Sequence, residues 1–144
     1  MRITLDSTII VRANQRASGP ARILLLEIRD RGHKLITSAT VLDEVNRVLR
    51  YPRLLKCFAL TESETTQFVS FIAASAEIVE VDETIITPIR DAKDVHVDQT
   101  AISGKSTYLC TLDGHFHTPQ VVAFCAAWGV EVISDLDLLK LVRG

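Results

Sequence analysis

Five short apolar runs recur along this chain, at 2–6, 33–37, 76–81, 108–112 and 130–133, and segments of helical periodicity lie between them. That alternation limits the fold more than anything else in the sequence. Strands separated by helices pair in parallel, because each return to the sheet needs a crossover. The pattern predicts a three-layer α/β/α sandwich around a mostly parallel sheet of about five strands. The first run continues as Arg2-Ile3-Thr4-Leu5-Asp6-Ser7-Thr8-Ile9-Ile10, a buried strand that ends in a carboxylate and passes into an early helix or loop.

The helical segments have recognisable limits. Gly19-Pro20 opens a helix over Ala21–Arg31, which Gly32 stops. Ser38 or Thr40 caps a helix whose apolar stripe is Val41, Leu42, Val45, Val48 and Leu49, broken at Tyr51-Pro52. Leu54–Leu60 reads as a short helix or loop. Thr61-Glu62-Ser63-Glu64 resembles a capping box and starts a helix to about Ala76. Further helices are expected over Asp94–Ser103, Gln120–Trp128 and Asp135–Val142, with loops at 82–90 and 114–119.

At 144 residues the chain is expected to form a single domain, residues 1–144, with a full core. No apolar stretch approaches the ~20 residues that span a bilayer, and no signal-peptide pattern follows Met1. The three cysteines, Cys57, Cys110 and Cys125, are odd in number and irregularly spaced, which points to a reducing, cytoplasmic setting without disulfides. Charge is unevenly spread. Residues 1–57 carry eleven Lys/Arg against five Asp/Glu, and residues 58–144 carry five against thirteen. A basic half beside an acidic half suits an anionic polymer bound next to a metal centre, or two faces that partly neutralise each other.

In open α/β sheets ligands bind at the carboxyl ends of strands. Asp6 ends the first strand, Glu44 lies in the helix after the second, and Asp113 ends the fourth. Asp91, Asp94 and Asp98 follow helical spacing, with Asp94 near the start of its helix. A lone Asp6-Ser7-Thr8 reads equally well as a helix cap, and the aspartate helix as a solvated acidic face. Taken together, carboxylates converging at strand ends would repel one another unless a hard divalent cation, Mg²⁺ or Mn²⁺, neutralised them. His115 and His117 are too isolated for a zinc motif and read as loop residues.

Four segments in order resemble the motifs of PIN domains, in particular the VapC-like group of toxin–antitoxin toxins. They are Leu5-Asp6-Ser7-Thr8-Ile9-Ile10, Ser38-Ala39-Thr40-Val41-Leu42-Asp43-Glu44-Val45, Arg90-Asp91-Ala92-Lys93-Asp94-Val95-His96-Val97 and Thr111-Leu112-Asp113-Gly114-His115-Phe116. The resemblance implies an Mg²⁺- or Mn²⁺-dependent endoribonuclease that cuts RNA, is occluded by a small antitoxin and works as a homodimer. By motif, Asp6, Glu44, Asp94 and Asp113 are the catalytic and metal-binding acids, and Ser7, Thr8, Asp91, Thr111 and His115 are their supports. The chain departs from the motifs at Thr8, where Asn is usual, at Ala92, where Pro is common, and at His115, where a further Asp is frequent. Asp98 takes the place of a small apolar residue and is expected to face solvent.

Arg12, Arg47, Arg50 and Arg53 are the candidates for RNA or partner contact, with Arg16, Arg22 and Lys56 beside them. Other readings are a solitary RNA-processing nuclease, a scaffold that binds RNA or protein without cutting, and a receiver-like module phosphorylated on Asp. The last would need an acidic pair after the first strand, where Asp6 stands alone. A haloacid-dehalogenase-like phosphatase would need Asp-x-Asp, and Thr8 breaks that pattern.

Overall fold

The computed structural model describes residues 1–144 and contains five strands, β1 (Arg2–Leu5), β2 (Lys34–Thr37), β3 (Glu77–Ile78), β4 (Tyr108–Cys110) and β5 (Glu131–Ile133). They form one sheet in the order β3-β2-β1-β4-β5, and every pairing is parallel. The sheet is therefore wholly parallel, as the alternating pattern requires. Side chains alternate across a strand. Ile3 and Leu5 thus share one face of β1 and Thr4 takes the other, yet all three are fully buried. Helices must cover both faces, which gives the three layers.

Eight helices surround the sheet: α1 (Ser7–Val11), α2 (Pro20–Asp30), α3 (Ala39–Val48), α4 (Pro52–Phe58), α5 (Glu62–Ser75), α6 (Ala92–Ser103), α7 (Pro119–Ala127) and α8 (Asp135–Arg143). None is long and apolar enough to cross a membrane. Local signals account for most of the ends. Ser38 caps α3 by accepting the Val41 N–H, and Thr61 and Glu64 form a complete reciprocal capping box at α5. Gly32 and Gly129 take positive φ just after α2 and α7, the left-handed geometry that ends helices without a Cβ penalty.

Some boundaries differ from the sequence reading. β3 is two residues long rather than six, because only Glu77 and Ile78 register against β2. β4 stops at Cys110 rather than Leu112, and the backbone leaves the sheet so that Asp113 can cap a 3₁₀ turn over Gly114–Phe116, a stretch expected to be loop. α6 starts before Asp94, at Ala92, since Asp91 is its N-cap and accepts the Lys93 N–H at 3.0 Å.

β1 lies at the centre, with β2 and β3 to one side and β4 and β5 to the other. The chain thus reverses its direction of sheet growth between β1 and β4. At such a switch point the loops leaving neighbouring strands part and open a crevice. Asp6 follows β1 directly, and Asp113 lies three residues beyond β4.

Candidate metal centre

Asp6 occupies the N-cap position of α1, but its side chain caps nothing. Its Oδ2 instead accepts a 2.8 Å hydrogen bond from Thr111 Oγ1, and its Oδ1 a longer one, 3.3 Å, from Ser7 Oγ. The capping alternative is not realised: the carboxylate faces Thr111, just beyond β4, and accepts no α1 backbone N–H. Thr111 also accepts the Asp113 N–H at 3.0 Å. One fully buried hydroxyl thus orients Asp6 and pins the backbone that carries Asp113.

Asp113 in turn accepts the His115 N–H at 2.9 Å. Phe116 is fully buried, and the His117 ring bonds the Thr111 carbonyl through Nε2 at 2.8 Å. The turn after Asp113 is therefore anchored on both sides, and His117 is a structural residue rather than a free loop histidine. His115 is exposed, but its ring leans back over the acids. Nδ1 lies 3.5 Å from Asp113 Oδ1 and 3.7 Å from Asp94 Oδ2. One ligand atom from each of Asp94, Asp113 and His115 falls within 4.8 Å of the others.

The acids feel one another. Burial raises the Asp6 pKa most; the Thr111 and Ser7 hydrogen bonds oppose it, and the charges of Glu44 and Asp113 add to it. Asp94 is pushed up to about 6, first by burial and then by the charges of Asp113, Asp91 and Asp6. Electrostatics therefore links all four predicted acids, although Glu44 stands outside the tight group and borders the cavities beside it. No Lys or Arg lies within ion-pair distance of Asp6, Glu44, Asp94 or Asp113. The chain has 16 such residues, so the omission is selective.

Asp98 corrects an expectation. It is fully buried rather than solvent-facing, accepts a hydrogen bond from Cys125 Sγ at 3.1 Å, and leaves Oδ2 without a partner. Burial raises its pKa. Residues Asp91, Asp94 and Asp98 thus run from solvent to core, and only Asp94 joins the cluster. Asp91 acts as a cap.

The basic residues divide into two groups. Arg12 and Arg53 line a cavity of about 340 Å³ together with Ser7, Thr8, Glu44 and Phe58. Arg47 lines a second, of about 320 Å³, with Glu44, Lys93 and His96. Arg50 is not brought there: its guanidinium is held by Glu62 at 2.7 Å and by the Asn46 carbonyl. Arg16 is likewise committed to Glu64, and Arg22 to the Ala13 carbonyl. The sequence reading missed Lys93 and Arg90. Arg90 lines a larger cavity, of about 540 Å³, on the His115 side of the acids. Both belong to the Arg90–Val97 segment, where the acidic residues drew attention first.

A family model described as PIN domain matches residues 2–115. The chain belongs to the PIN domain family. All four acids, Thr111 and His115 fall inside the matched span, while α7, β5 and α8 follow it. No curated protein matches the chain. Among solved structures, the PIN fold is shared with a chain from the crystal structure of VapBC2 from Rickettsia felis bound to a DNA fragment from their promoter. The TM-score is 0.61 at 13% identity, covering 93% of this chain and 98% of that one. PIN domains are generally metal-dependent nucleases, which sets aside the receiver-like and phosphatase readings.

Proposed function

We propose that this PIN domain is an Mg²⁺- or Mn²⁺-dependent endoribonuclease and the toxin of a toxin–antitoxin pair. One observation carries the reading. Asp6, Asp94 and Asp113, from separate segments, meet at the β1/β4 switch point with Glu44 at their edge; neighbouring charge helps raise the Asp6 and Asp94 pKa values, and none of the four has a Lys or Arg partner. Unpaired acids held together in this way need positive charge from outside the chain. A carboxylate donor set, partly open to solvent at Asp113, suits a divalent ion.

Asp6, Asp94 and Asp113 would hold the ion, with Glu44 at its edge. A divalent cation there supplies Lewis acidity, which activates water for in-line attack and offsets charge on the phosphodiester. The chain's own residues do the rest. Thr111 and Ser7 fix the Asp6 carboxylate. Glu44, closest to the cavity that holds Arg12 and Arg53, accepts a proton from the attacking water or orients it. Arg12, Arg47, Arg53, Lys93 and Arg90 flank the acids on both sides and bind backbone phosphates along a single strand. Thr8, exposed at the rim, contributes only a short hydroxyl.

The toxin assignment draws on the fold shared with a chain of the VapBC2 complex. It implies a small antitoxin that covers the acids, a homodimer and a cytoplasmic site of action. The test is RNA cleavage by the purified protein. Asp6→Asn should fold as the parent does and lose about two orders of magnitude or more in rate. EDTA should abolish cleavage, and Mg²⁺ or Mn²⁺ restore it. Full activity in a folded Asp6→Asn variant, or in chelator, would overturn the proposal.

A further inference from the structure

The PIN acids are an oxygen-donor set, and His115 sets an imidazole nitrogen beside two of them. Its Nδ1 stands 3.5 Å from Asp113 Oδ1 and 3.7 Å from Asp94 Oδ2. Both separations are too long for a direct N–H···O hydrogen bond, which closes to roughly 2.7–3.2 Å. They suit donors that share one ion. Bonds of about 2.0–2.2 Å to a common cation leave adjacent ligand atoms roughly 3.0–3.5 Å apart, so the Asp113 pair is already at that spacing and the Asp94 pair reaches it by a closure of a few tenths of an ångström.

The backbone fixes this arrangement. Asp113 caps the 3₁₀ turn and accepts the His115 N–H, so the carboxylate and the imidazole are tied within two residues of each other. Buried Phe116 and the His117–Thr111 bond hold the far end of the turn. The His115 ring is otherwise without a partner: it makes no hydrogen bond to solvent-side groups and packs in no core. Its orientation over two acids is the one specific feature it has.

We propose that His115 Nδ1 is a direct ligand of the divalent ion held by Asp94 and Asp113, and that this nitrogen shifts the centre's preference from Mg²⁺ towards Mn²⁺. The inference rests on the metal-centre reading above. Its chemistry is general. Mg²⁺ is bound best by oxygen and holds its waters tightly, whereas an imidazole donor favours first-row transition ions. Replacing one carboxylate-type donor with a neutral nitrogen also lowers the negative charge available, which costs the harder ion more.

The experiment uses the full chain with Mn²⁺ as the probe. Bound Mn²⁺ is counted by loss of the free-ion EPR signal, and its ligands are read by electron spin echo modulation, which detects a directly bonded imidazole nitrogen. The wild type should show that nitrogen coupling. His115→Gln should lose it and bind Mn²⁺ about tenfold more weakly, with a change of less than about threefold for Mg²⁺. His115→Asp should lose the coupling and bind Mg²⁺ more tightly than the wild type. His96→Gln is the control, because His96 is the other imidazole beside Glu44 and its Nδ1 is buried without a partner; it should leave the coupling intact. Mn²⁺ bound to the wild type without nitrogen coupling, or coupling that survives in His115→Gln, would overturn the ligand assignment while leaving the metal centre standing. Failure of the wild type to bind Mn²⁺ at all would overturn both.

Discussion

Asp94 gives the sharpest prediction, because its ionisation in the metal-free protein is linked to folding. In the fold its pKa rises from 3.8 to about 6, through burial and the charges of Asp113, Asp91 and Asp6. The native state therefore holds a proton on Asp94 that the unfolded chain releases earlier. Its stabilising contribution is full below about pH 3.8 and is lost as pH rises through 6. A shift of that size corresponds to roughly 3 kcal/mol at most, and screening at a partly exposed rim reduces it to about 1–2 kcal/mol. Asp94→Asn removes the ionisation without removing the side chain. In chelator, the variant and the wild type should melt together near pH 4. By pH 7 the variant should be the more stable by about 3–8 °C. Divalent ion should reverse the order, since it stabilises only a chain that can bind it. Thermal melts across pH 4–8, with and without Mn²⁺, provide the measurement. Parallel pH profiles for the two proteins in chelator would refute the claim that crowded acids destabilise the empty centre.

Thr111→Val should raise the Asp6 pKa further and leave both an Asp6 oxygen and the Asp113 N–H without their partner. A cost of about 2–3 kcal/mol in denaturant melts is expected, with the acid limb of cleavage displaced to higher pH, and Thr111→Ser should restore both. Gly104→Ala tests the packing of the C-terminal end of α6 on the sheet. A Cβ there would fall 2.3 Å from Ile36 Cγ2 and 3.1 Å from the Thr100 carbonyl, and Ile36 is fully buried. The melt midpoint in urea should drop by the equivalent of about 1–3 kcal/mol with an unchanged slope.

The parts of this molecule that were legible in the sequence are those set by local chemistry. Alternation gave the parallel sheet, and Ser38, Thr61-x-x-Glu64, Gly32 and Gly129 gave the helix ends. Strand ends and helical spacing marked Asp6, Glu44, Asp113 and the Asp91/Asp94/Asp98 set as candidates, and the resemblance to PIN motifs narrowed that set to Asp94. What could not be read depends on partners distant in sequence. Asp98 looked solvent-facing because nothing within its helix marks it, and its partner Cys125 is 27 residues away. Arg50 looked available because Glu62, which holds it, belongs to another helix. His115 looked like a loop residue because only the 3₁₀ turn, absent from any periodicity, brings its ring back over Asp94 and Asp113.

The uneven charge of the two halves now has a physical meaning. Three arginines from the basic half bind glutamates from the acidic half: Arg2 with Glu77, Arg16 with Glu64 and Arg50 with Glu62. These pairs tie β3 to β1, and α5 to the segment after α1 and to the end of α3. Each is exposed enough to contribute little stability by itself. Their other consequence is to consume cations that would otherwise be free to approach the acids. Arg12, Arg47, Arg53, Lys93 and Arg90 remain, lining the cavities around the centre without pairing with it. Had any of them closed onto Asp6 or Asp94, the local repulsion would have been relieved within the chain and the need for an external cation would have fallen. The division of the basic residues, some paired far from the centre and the rest held near it but apart, leaves the acids without a cationic partner in the chain and positive charge in the cavities beside them, the charge pattern that the proposed function requires.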